Sequence, residues 1–143
     1  MSLTVSITGA FVDVVVSEVL TINDLSPLLD ALDEMRVRGP FVLLTDTTAM
    51  VKAPREVVMA FADRLKAMPP MKKIWLGDAV VIKSPLARFA VSTLVLVAPL
   101  PTDVKVFESR ALAERWCADI LHKNSVAIPS PLTPPSAMPA MRR

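Results

Sequence analysis

Hydrophobic positions along this chain switch between two periods. "LTVSITG" alternates Leu3, Val5 and Ile7 against Thr4, Ser6 and Thr8. Gly9 follows as a turn candidate, and "FVDVVVSEVL" supplies a second β-branched run, so residues 3–20 read as a β-hairpin. The period then changes. Leu25, Leu28, Leu29, Leu32 and Met35 mark one face of a first helix that stops at Gly39. Thr21 or Ser26 can cap it, and Ser26 as N-cap with Pro27 in the first turn gives it the better start.

"FVLLTD" reads as a buried strand ending in a polar loop at Asp46-Thr47-Thr48. A helix from about Pro54 to Met68 aligns Val57, Val58, Phe61, Leu65 and Met68, and Pro69-Pro70 ends it. A strand is expected at Ala79–Ile82, approached through Gly77-Asp78. Ser84-Pro85 opens a third helix: the hydroxyl can accept from an orphan N–H, and proline has none to leave unpaired. "VKVFES" is the last strand, and Ser109 caps a last helix with Leu112, Ala113, Trp116, Ile120 and Leu121 on its apolar face.

The order is therefore β-β-α-β-α-β-α-β-α. It predicts an α/β fold with a four- or five-stranded mixed sheet and about four helices. The periodicity ends near residue 124. Residues 1–124 read as one domain, and 125–143, with five prolines after Ile128, as an extended or disordered tail. Pro131, Pro134 and Pro135 are its candidate contacts with a partner groove.

The most apolar stretch, "KSPLARFAVSTLVLVAPLP", is bounded by Pro85 and Pro99. That is too short for a bilayer span, which takes about 20 residues. Its apolar arc is wider than one packing face requires. One side meets the sheet; the other is left for a neighbouring helix, a second subunit or a ligand. Val91, Leu94 and Val95 are the candidate interface residues, and a cavity beneath this helix is where a lipid or other apolar small molecule would bind.

Composition narrows the chemistry. The chain has 143 residues, a net charge of +2 and only three glycines. Charges of both signs are mixed along it, so no footprint for nucleic acid emerges. One cysteine, Cys117, rules out an intrachain disulfide and suits a reducing, cytoplasmic setting. The N-terminus lacks the basic segment of a signal peptide. One histidine, His122, and one cysteine make neither a zinc cluster nor a nucleophile–base pair, so no enzyme, metal or cofactor is expected. Asp46 and Asp78, each beside a strand, are the only acids from which a pocket could be built. The segment Asp46–Pro54 is the most suggestive polar surface, with Asp46, Thr47, Thr48, Lys52 and Arg55 as candidate partner contacts.

"VLLTD", "LGDAVVIKSPLARF" and "KVFESRALAERWCADIL", set behind a hairpin and a leucine-rich helix, resemble bacterial STAS-like proteins over residues 3–122. The small single-domain STAS/CRAL-TRIO-like group is the nearest in pattern. The resemblance implies a non-enzymatic regulatory module that docks on protein partners or on itself, as anti-sigma-factor antagonists do. Such antagonists carry a phosphorylated serine at the start of the second helix. Here that place holds Ala53, Pro54 and Arg55, and no serine occurs between Pro27 and Ser84. The usual phosphoserine switch is therefore not expected.

Overall fold

The computed structural model describes residues 2–98, 102–130 and 132. Five strands lie in sequence order across one sheet: β1 (Leu3–Thr8), β2 (Phe11–Val19), β3 (Phe41–Lys52), β4 (Trp75–Val81) and β5 (Val104–Phe107). β1 and β2 form the antiparallel hairpin, with Gly9 at φ 58° in its turn. Every later pairing is parallel. Three crossover helices join these parallel strands: α1 (Leu25–Arg38), α2 (Arg55–Ala67) and α3 (Pro85–Val97). Crossovers between parallel strands are right-handed, and this sheet grows in one direction only, so all three helices land on one face. α4 (Arg110–Lys123) follows β5 and returns across the other face.

The alternation of side chains follows from that layering. Val12, Val14 and Val16 of β2 meet Leu28, Leu32 and Met35 of α1 on the three-helix face. Phe11, Val42, Leu44, Ala79 and Val81 meet Ala113, Cys117 and Leu121 of α4 on the other. Five strands, four helices and a mixed sheet are what the hydrophobic pattern predicts.

Four local expectations change. α1 is entered through a short 3-10 turn (Ile22–Asp24), and Asp24, not Ser26, stands at its cap. Asp24 Oδ2 accepts from the Thr21 backbone N–H at 2.8 Å and from the Thr21 hydroxyl at 2.9 Å. Ser26 is exposed one residue inside the helix. β3 runs on to Lys52, so the expected polar loop is largely strand. Its far half finds a backbone partner in β2, where Ser17, Glu18 and Val19 pair with Ala49, Met50 and Lys52. β4 starts at Trp75, four residues before the expected strand.

The fourth concerns the segment after α4. Val126 and Ile128 pack on the α4-side core and Leu132 is fully buried there. The first residues of the proline-rich segment thus cover the sheet. Pro131, Pro134 and Pro135 lie outside the described residues. Both serine caps form as expected: Ser84 Oγ accepts from the Ala87 N–H at 3.1 Å, and Ser109 Oγ from the Leu112 N–H at 3.4 Å.

Gly77 sets how closely α4 approaches. A Cβ at this position would lie 2.9 Å from Cη2 and 3.1 Å from Cζ3 of Trp116. Gly77→Ala is therefore expected to destabilise the fold by about 1–3 kcal/mol through overpacking. Adding Trp116→Leu should recover part of that loss. Urea unfolding of the single and double variants measures it, and additive losses would show that the ring does not set the limit.

Candidate functional site

Between β3 and β4 the ladder slips by one residue. Phe41 pairs with Trp75, but Val42 pairs with Gly77, so Leu76 is extra on β4. Such a bulge re-aims side chains. Trp75 and Asp78, three apart, would point to opposite faces of a regular strand. Across the bulge they share the three-helix face, while Gly77 and Ala79 face α4.

On that face a cavity of about 110 Å³ opens between the sheet, α2 and α3. Its walls are largely aliphatic and aromatic, including Val14, Leu43, Phe61, Val91 and Leu94. Trp75 and Asp78 line it too. The Trp75 ring stacks on Phe41, with centroids 5.9 Å apart, but its Nε1 donor is buried without a partner among the described residues. Among the same residues Asp78 Oδ1 is likewise buried without a partner. Its strand neighbours are Leu43 and Val104, which offer no side-chain donor. Burial alone pushes the Asp78 carboxyl up to about 8. At neutral pH it is therefore mainly the neutral acid, able both to donate and to accept.

Asp46 sits on the opposite face, so the two acids do not form the shared pocket their sequence positions suggested. Asp46 points toward α4, where Arg110 gathers three carboxylates: Asp13 at 2.5 Å, Glu114 at 2.8 Å and Asp46 at 3.3 Å. Burial opposes ionisation of Asp46, but the Thr48 N–H and hydroxyl, and then Arg110, outweigh it and hold its pKa below the usual range. Burial also opposes the charge on Arg110; Asp13 first, then Glu114 and Asp46, more than restore it. This cluster ties β2, β3 and α4 together and leaves no vacant cation among its members. The links of Arg110 to Asp13 and Asp46 had no signal in the sequence, because they span 97 and 64 residues.

The remaining expected contacts divide. Thr47 is buried, and its hydroxyl donates to the Val81 carbonyl at 2.7 Å, which ties β3 to the end of β4. Thr48, Lys52 and Arg55 are exposed at the end of β3 and the start of α2. Val91, Leu94 and Val95 turn inward and line the cavity; the outward apolar residues of α3 are Leu86, Phe89 and Leu96. Cys117 is buried against the sheet, and burial pushes its thiol pKa well up, which leaves it unreactive. His122 is exposed near the end of α4. Among the described residues no three His, Cys, Asp or Glu side chains are grouped to hold a metal ion, and no helix is long and apolar enough to cross a membrane.

No family model matches the chain, and no curated protein matches it. A solved structure does. An uncharacterised protein of the DUF3478 family from Shewanella loihica PV-4, described as having a SpoIIAA-like fold, superposes with a TM-score of 0.55. The match covers 80% of this chain and 91% of that one at 18% sequence identity. The fold is thus SpoIIAA-like, the STAS-like architecture that the sequence resemblance implied.

Asp78 predicts a pH signature. Its carboxyl titrates near 3.8 when unfolded and near 8 when folded. Between those values the unfolded chain has lost a proton the folded chain keeps. Its contribution to stability is therefore most favourable below about pH 4 and falls as pH rises toward 8, by up to about 1.4 kcal/mol per unit. In Asp78→Asn this loss disappears. Urea midpoints across the range should show the variant gaining on the wild type from acid to mildly basic pH and levelling off above it. A constant difference would contradict the assignment.

Proposed function

We propose that this protein is a non-catalytic regulatory module that works by docking, and that the outward face of α3 is the docking surface. One observation carries the reading. Leu86, Phe89 and Leu96 are 43%, 71% and 82% exposed, and they fall at i, i+3 and i+10 on one stripe of the helix. Exposed apolar residues scattered singly are ordinary, but a stripe of them is a contact surface. Arg88 is the one charged residue between Pro85 and Val97, so covering the stripe desolvates little charge.

A second copy of the chain is the simplest partner. Two such helices can lay their stripes together, each supplying the apolar surface the other lacks. Thr48, Lys52 and Arg55 supply a separate polar rim for a protein partner. The SpoIIAA-like fold supports a role in regulation by contact. The absence of a serine near the start of α2 argues that such contact is not gated by phosphoserine there.

Sedimentation velocity over a concentration series tests this. The wild type is expected to self-associate, and Phe89→Glu/Leu96→Glu to remain monomeric with unchanged circular dichroism, because both side chains are exposed. A wild type that is monomeric throughout and indistinguishable from the variant would remove the self-docking reading.

A further inference from the structure

We propose that the cavity beneath α3 is a binding site for a small, uncharged, mostly apolar molecule carrying one hydrogen-bond-accepting oxygen, held by the Trp75 indole N–H and the Asp78 carboxyl. This inference rests on the inner face of α3 and is independent of docking on its outer face.

Size comes first. A cavity of about 150 Å³ can admit benzene. At about 110 Å³ this one suits a small ring, a short branched chain, or the end of a longer chain. The wall is apolar enough to favour such a guest over water.

The two polar atoms then define its head. Buried polar groups in folded proteins are nearly always paired, so two orphans on one small cavity call for a partner that the chain does not supply. An indole N–H can only donate. Asp78 has no Lys, Arg or His beside it on the cavity wall, so its neutral acid form, also a donor, prevails. Two donors are matched by one oxygen with two lone pairs, as in an aldehyde, a ketone or an ester. Thr47 cannot substitute, because its hydroxyl is already bound to Val81. The bulge at Leu76 is what puts both donors on this wall.

Three probes of similar shape separate the possibilities: toluene, benzaldehyde and benzylamine. The readout is the indole N–H signal of Trp75 in the nitrogen-15-labelled full chain. The protein has two tryptophans, so Trp116→Phe assigns the two signals. Benzaldehyde is expected to move the Trp75 signal downfield and to bind about tenfold more tightly than toluene, as one net hydrogen bond would give. In Trp75→Phe, which lacks that signal, and in Asp78→Leu, the backbone amide shifts of the cavity-lining Val91 and Leu94 read the binding, and each substitution should bring that ratio close to one.

If Asp78→Leu does not fold, Trp75→Phe and the three wild-type titrations still decide. Equal binding of toluene and benzaldehyde would overturn the proposal by showing an apolar cavity without polar recognition. Tightest binding of benzylamine, cationic at neutral pH, would overturn it by showing an ionised Asp78 anchoring a cation. No response to any probe would overturn it by showing a cavity that is closed or held by water.

Discussion

Between Phe41 and Asp46, β3 is hydrogen-bonded to both β2 and β4 and packed against helices on both faces, and everything near the candidate site follows from that constraint. A polar residue in or next to this stretch must find its partner wherever the pleat points it. Thr47 points toward the three-helix face and reaches the Val81 carbonyl. Asp46 points the other way and meets Thr48 and Arg110. β4 lives under the same constraint, and there Asp78 Oδ1 is buried without a partner among the described residues. The contrast between neighbouring strands is what marks the cavity. The fold has the means to satisfy a buried carboxylate, and it does so at Asp46.

Much of the architecture was legible because short-range periodicity reports it directly. The alternation of Leu3, Val5 and Ile7, the spacing of Leu25, Leu28 and Leu32, and the Ser84-Pro85 and Ser109 caps are all local signals. What was not legible depends on pairing between distant segments. "TTAMVK" could be strand only if β2 continued beside it, and no residue within the segment says so. Thr21, the other candidate cap, stands before the 3-10 turn that leads into α1, where Asp24 Oδ2 accepts from its N–H and hydroxyl and leaves Ser26 inside the helix. The extra residue at Leu76 leaves no local trace, so Trp75 fell outside the expected strand and its alignment with Asp78 was invisible.

The wide apolar arc of α3 shows a different limit. Periodicity says that such a helix has two apolar sides but not which one turns inward. Val91, Leu94 and Val95 have the bulk of core residues and do face the protein, yet only Ala87 of the helix is fully buried. Packing beneath α3 is thus incomplete, whereas α4 packs Ala113, Cys117, Ala118 and Leu121 to full burial. The same arc that looked like an interface supplies the wall of a cavity, and the exposed apolar residues of α3 are instead Leu86, Phe89 and Leu96.

Stability alone does not account for this arrangement. An unpartnered buried polar group costs about 1–3 kcal/mol, against a total of about 5–15 kcal/mol for a domain. A leucine at position 78 and a phenylalanine at 75 would keep the apolar wall without that cost. Trp75 and Asp78 therefore make sense as groups whose partner arrives from outside. They lie beneath α3, whose outward face exposes Leu86, Phe89 and Leu96. A guest in the cavity contacts the inner side of α3, and a docked protein its outer side. On the proposed reading, a guest that shifts α3 would alter docking on its outer face, and linkage would then require docking to act on the guest by the same factor. The cavity wall and the exposed apolar stripe thus meet in a single element, and on the proposed reading α3 would couple a small molecule to a protein contact.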